Sequence, residues 1–377
     1  MRSLSRAALS ALAFLIPFAA CAGDQAKPFT QDDARAIVGD LQKVVSPRGI
    51  DERLLVLVGG VHQWITVKGR DDRNPVLLFI HGGPAAPEMP TSWTFQDDWE
   101  DFFTVVQWDQ RGSGKSYNAN DPADIKFTLS VQQITDDAAE VVQYLRQRYH
   151  HDKVFVIAHS WGTVPGLRLA QAHPEWLYAY IGMGQIIDMR ENERLGYASV
   201  LTSARADHND KAVKELEALA PYPNPKRPVT FDEIGVERSW SVYYGGLTWN
   251  RKSYDYYYDT GKLSPDYTDN DLAAIDKGSL MSLTRLLPEL MDVDFTKTTD
   301  FKCPIVIFNG RHDITTSATL AAAWFKTVHA PVKKLVWFED SAHMMQIEQP
   351  GQVLLHLVQD VRPLSGSDAT LDTSVER

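Results

Sequence analysis

The stretch Val154-Phe155-Val156-Ile157-Ala158-His159-Ser160-Trp161-Gly162-Thr163 decides how this chain is read. It opens as a continuous apolar run of strand length, the pattern of a strand buried on both faces. A serine follows at once and opens a helix-like segment. Small residues, Ala158 and Gly162, stand two positions either side of it. A strand that turns sharply into a helix brings two backbones close together, so its flanks must be small. The strained turn lifts the serine hydroxyl above the sheet. The common form of this elbow has glycine where Ala158 stands, and alanine is the next smallest choice. A plain helix-capping serine is the competing reading, and the strand–turn–helix context favours the elbow.

An exposed serine becomes a nucleophile only beside a base, and the base needs an orienting acid. On an elbow scaffold these follow in the order serine, acid, histidine. Pro304-Ile305-Val306-Ile307-Phe308-Asn309-Gly310-Arg311-His312-Asp313 puts an acid just past a strand, and Lys334–Phe338 is a further strand whose following loop holds Ser341-Ala342-His343. All three side chains are thus expected at carboxyl ends of strands, the rim where such sheets bind ligands. Ser160, Asp313 and His343 are the candidate triad. His312 competes for the base but precedes the acid, and His159 is expected to point away from the serine hydroxyl. Upstream, Val76–Ile80 ends in His81-Gly82-Gly83-Pro84. A glycine-rich turn there lets a backbone amide face a developing oxyanion, with the amides of Gly83 and Trp161 as candidate donors. A simple tight turn is the alternative reading of these four residues.

Around these motifs short apolar runs alternate with amphipathic helices, which predicts a mostly parallel sheet covered on both faces. Strands are expected at Leu54–Val58 and Trp64–Val67 (a hairpin about Gly59-Gly60), Val76–Ile80, Phe102–Trp108, Val154–Ala158, Ala179–Met183, Pro304–Asn309 and Lys334–Phe338. A helix is expected over Ile134–Tyr149. Residues 186–295 break the rhythm. They read as helical, are rich in tryptophan and tyrosine, and are expected to form a cap inserted between the core segments 28–185 and 296–364. Residues 365–377 are polar and read as a flexible tail.

The first 22 residues, MRSLSRAALSALAFLIPFAACA, read as an address: basic Arg2 and Arg6, an apolar stretch too short to span a bilayer, then small residues at a cleavage site. Phe18-Ala19-Ala20-Cys21 also resembles a bacterial lipobox, so the chain is expected to be exported, either released or held by a lipid anchor on Cys21. With Cys21 processed, Cys303 has no internal partner and is expected to be a buried bystander. Two cysteines form no disulfide framework, and 44% apolar content with ordinary glycine and proline counts excludes a disordered or fibrous chain. A net charge of −11 argues against a nucleic-acid partner. No metal cluster and no dinucleotide fingerprint is evident, and no cofactor is expected.

The ordered set HGGP (His81–Pro84), DQRGSGKS (Asp109–Ser116), AHSWGT (Ala158–Thr163), GRHD (Gly310–Asp313) and SAH (Ser341–His343) resembles the α/β-hydrolase fold and, within it, the proline iminopeptidase-like serine peptidases. The resemblance covers about residues 75–350. It implies the Ser160/Asp313/His343 triad, a helical cap over the pocket, and removal of an N-terminal residue, often proline, from a peptide or amide. Two departures stand out. The family continues HGGP with glycines where this chain has Ala85-Ala86. It also carries a Trp-Glu pair in the cap that helps bind the substrate's free amine, whereas Trp240-Ser241-Val242-Tyr243-Tyr244-Gly245 has no acid there. Glu191, Glu193 and Glu237 are the acids available to replace it, with Trp240 and Tyr244 as neighbouring substrate contacts. The readings in competition are an aminopeptidase on short peptides or amides, a carboxylesterase on small esters, and a hydrolase-fold protein that binds a small molecule without turning it over.

Overall fold

The computed structural model describes residues 27–366. The segment 1–22, with Cys21, and most of the polar tail lie outside them. Eight strands form one sheet: β1 (Ile50–Val58), β2 (Val61–Gly69), β3 (Val76–Ile80), β4 (Thr104–Asp109), β5 (Val154–His159), β6 (Leu177–Met183), β7 (Ile305–Gly310) and β8 (Lys333–Phe338). Their order is β1-β2-β4-β3-β5-β6-β7-β8. β1 and β2 form the hairpin about Gly59-Gly60, and β2 pairs antiparallel with β4. Every other pairing is parallel. This is the α/β-hydrolase architecture expected from the sequence.

Alternating residues of the central strands serve two different cores. Val76, Leu78 and Ile80 of β3, with Val154, Val156 and Ala158 of β5, pack on one side against helices Val131–Arg148 and Thr163–Ala172. Leu77, Phe79, Phe155 and Ile157 pack on the other, against Phe95, Trp99, Val353 and Leu357. A strand with both faces buried has no polar side to show, which is why these runs are continuously apolar.

The order of crossing places the site. The chain leaves β3 to one side to make β4, then returns past β3 to make β5. Loops at the carboxyl ends of β3 and β5 therefore leave in opposite directions and open a crevice between them. Between β6 and β7 the chain forms five helices: Met189–Ala206, Asp210–Glu217, Phe231–Tyr243, Asp255–Gly261 and Asp269–Leu290. Four begin on side-chain caps: Asp188 accepts from the Glu191 amide, Asn209 from Ala212, Thr230 from Glu233 and Thr268 from Asp271. No helix among the described residues is long and apolar enough to cross a membrane.

Candidate active site

Ser160 follows β5 directly, with φ +54°, a left-handed backbone held only where the surroundings enforce it. The next turn presses against β3. A Cβ on Gly162 would lie 2.2 Å from the Ile80 carbonyl oxygen, so only glycine fits. Ala158 is tolerated because Gly166, on the facing helix, contributes no side chain; a Cβ there would lie 2.9 Å from that of Ala158.

His343 lies beyond β8 and Asp313 beyond β7. The His343 Nδ1–H donates to Asp313 Oδ2 at 2.8 Å, both groups being buried. Thr316 fills the remaining acceptor sites, its amide on Oδ1 at 2.8 Å and its hydroxyl on Oδ2 at 2.9 Å. A carboxylate bonded in this way holds the imidazole in one tautomer and leaves Nε2 as the free base. Gly184, just after β6 with φ +58°, makes room for the ring, since a Cβ there would lie 2.8 Å from His343 Cε1. The segment between β6 and β7 also braces both loops. The Leu247 carbonyl accepts from the His343 amide at 3.0 Å, and Asn192 bonds the Ser317 amide at 2.6 Å and the Thr315 carbonyl at 3.0 Å.

The HGGP and DQRGSG segments are wired to the elbow. The Gln110 amide donates to His81 Nε2 at 3.1 Å, so the ring proton sits on Nδ1 and donates to the Gly82 carbonyl at 2.9 Å. Burial pushes the His81 pKa down, which keeps this ring neutral. The Gln110 side chain donates to the His81 carbonyl at 2.8 Å and accepts from the Trp161 indole at 3.1 Å. Gly83, at φ +112°, is exposed to the cavity beside Ser160. Arg111 serves structure: fully buried, it grips Asp137 through two 2.9 Å bonds and the Gly59 carbonyl at 2.8 Å.

Ser160, His343 and Gly83 line one cavity of about 350 Å³. Its upper wall is one stripe of the helix Phe231–Tyr243, namely Phe231, Ile234, Gly235, Arg238 and Val242, with Tyr254, Tyr257 and Tyr258 beside it.

The five expected cap contacts are not on that wall. At 100° per residue, Glu237 turns away toward the neighbouring helix and Trp240 faces the outer surface. There the Trp240 indole donates to Glu215 at 2.9 Å. Glu193 and Glu237 are fully buried behind Arg238, which pairs with both, and Glu193 also accepts from the Tyr222 hydroxyl at 2.6 Å. Burial pushes the Glu237 pKa up to about 7. Glu191 spends its charge on Arg194 at 2.6 Å, and the Tyr244 hydroxyl reaches Asp207 at 3.4 Å. Periodicity could have warned against Trp240, because Ile234, Arg238 and Val242 share a face that excludes it.

Of the competing histidines, His312 stacks on Trp249 with ring centroids 3.3 Å apart. His159 is buried, and both its nitrogens are engaged: Nδ1 with Glu88 Oε1 at 2.7 Å and Nε2 with the His343 carbonyl at 3.0 Å. Burial opposes charge on this ring, but the hydrogen bond and charge of Glu88 outweigh it and raise its pKa. Cys303 is buried, and its thiol is pushed up to about 11 by desolvation.

Residues 75–350 match the family model described as alpha/beta hydrolase fold. The chain belongs to the α/β-hydrolase family. This hydrolase is 28% identical over 298 residues to a probable aminopeptidase, YbaC, of Bacillus subtilis, a match covering 78% of this chain and 91% of that one. It is 23% identical over 298 residues to the proline iminopeptidase of Arabidopsis thaliana, covering 75% and 72%. Among solved structures it resembles the proline iminopeptidase of Mycobacterium smegmatis, with a TM-score of 0.58 and 17% identity over 82% of this chain and 97% of that one. That likeness is one of fold. Family and relatives together make this chain an enzyme of the hydrolase class.

Proposed function

We propose that this hydrolase uses Ser160 as nucleophile, passes through an acyl-enzyme, and acts as an aminopeptidase that removes N-terminal residues from short peptides or amides. The observation that carries the reading is one cavity lined by a serine at φ +54° and by a histidine whose Nδ1 is held 2.8 Å from a saturated buried carboxylate. Ser160 Oγ attacks the carbonyl carbon and its proton passes to His343 Nε2. Asp313 stabilises the imidazolium formed. The oxyanion is received by the amides of Gly83 and Trp161, a contribution of about 10²–10³ in turnover per donor. His343 then protonates the departing amine, and water hydrolyses the acyl-enzyme by the same route.

The apolar wall of Met189, Ile234, Val242, Leu247, Leu283 and Leu290 favours a second reading, a carboxylesterase with a hydrophobic acyl group. A panel of L-prolyl and L-alanyl p-nitroanilides against p-nitrophenyl esters separates the two. Hydrolysis of esters alone would remove the peptidase reading, and full activity in Ser160→Ala would remove the serine mechanism. We also read residues 1–22 as an export signal. Metabolic labelling with a fatty acid that is abolished by Cys21→Ser would place the enzyme on a membrane, and cleavage without labelling would make it a released protein.

A further inference from the structure

Glu88 stands in the loop after β3, and no motif of the sequence singles it out. It is only 2% exposed and lines the cavity together with Ser160 and His343. Oε1 is held by His159, whereas Oε2, itself closed to solvent, has no hydrogen-bond partner among the described residues. A buried carboxylate oxygen without a donor is destabilising until something supplies one.

The neighbourhood decides what kind of donor fits. Gly82 ties the carboxylate's holder to the nucleophile: a Cβ built there would lie 3.1 Å from Ser160 Cβ and 3.5 Å from His159 Nδ1. The acid is thus held by His159, the residue next to the nucleophile, rather than by the cap. Arg238, the cation on the cap wall, is already shared by Glu193 and Glu237, so it offers little to an anion. The Tyr254, Tyr257 and Tyr258 rings complete a lining that suits a cation.

We propose that Glu88 Oε2 accepts the protonated α-amine of the substrate's N-terminal residue, a group two bonds from the carbonyl that Ser160 attacks. The inference rests on the aminopeptidase reading, and it makes Glu88 the acid that Glu191, Glu193 and Glu237 do not supply.

The test is calorimetric binding to Ser160→Ala protein, which cannot turn the ligands over, using L-alanyl p-nitroanilide and its N-acetyl derivative. The free amine is expected to bind at least about tenfold more tightly, the worth of one charge-assisted hydrogen bond. Adding Glu88→Gln is expected to bring the ratio close to one, and Glu88→Asp to lower it part-way should the glutamine protein not fold. Equal binding of the two ligands to Ser160→Ala, or a preference that survives Glu88→Gln, would overturn the proposal. Wild-type enzyme that leaves L-alanyl p-nitroanilide uncleaved while the binding preference stands would sink the aminopeptidase reading and keep the amine site.

Discussion

The loop after β7 and the loop after β3 each bring a buried carboxylate against an imidazole, and the two rings lie 4.7 Å apart. Their bonding is opposite. Asp313 has both oxygens filled, by Thr316 and His343, while His343 keeps Nε2 without a partner among the described residues. Glu88 keeps one oxygen without a partner among the described residues, while His159 has both nitrogens engaged. A saturated acid behind a half-free ring can move a proton. A half-free acid behind a saturated ring can hold a ligand and brace a loop, but that ring, with both nitrogens facing acceptors, has no lone pair with which to take a proton. The difference lies in the count of donors and acceptors, since the residue types are nearly the same.

The largest expected effect removes what the first pair serves: Ser160→Ala should cut turnover about 10⁶-fold, measured as the initial rate on the best substrate of the panel. Asp313→Asn should cost about 10⁴-fold, because an amide at that place favours the wrong tautomer of His343. A loss under tenfold would mean that the two pairs are not distinct in role.

His159→Ala attacks the second pair. It leaves Glu88 buried without its partner and should cost about 3 kcal/mol of stability in urea unfolding. The raised pKa of His159 adds a sign. Its stabilisation is fully present below the ordinary histidine value, about 6.5, and is lost as pH rises through the raised value. The urea midpoint of the wild type should therefore fall on the alkaline side, by an amount missing in His159→Gln. Thr316→Val removes one bond from Asp313 and should lower kcat/KM about tenfold. Trp240→Ala, on the outer face of its helix, should leave kcat/KM within about twofold. A larger loss would return that tryptophan to the cavity.

The core was legible because periodicity reports burial directly. β3, β5 and β7 are apolar at every core position, and their ranges differ from the expected ones by one residue or less at either end. β1 was seen only in part, since Asp51, Glu52 and Arg53 make its first half polar, on an edge strand whose burial alternates along almost its whole length. The elbow was legible for a related reason: steric demands at Gly162 leave a short local pattern. The cap contacts were not legible, because which of Glu237, Arg238 and Trp240 faces a cavity depends on how the helix is rotated against its neighbours.

By itself the sequence determined the sheet, the order of its motifs and the loops that carry Ser160, Asp313 and His343. Those follow from local sterics and from burial, which each segment encodes on its own. Only the tertiary structure decided that Arg238 neutralises the acids expected to bind substrate, that His159 is locked between Glu88 and the His343 carbonyl, and that one oxygen of Glu88 is left unmatched. Those are balances of charge and hydrogen bonds among residues as far apart in the chain as Glu88 and His343. They come into being only when the fold brings donors and acceptors together out of water.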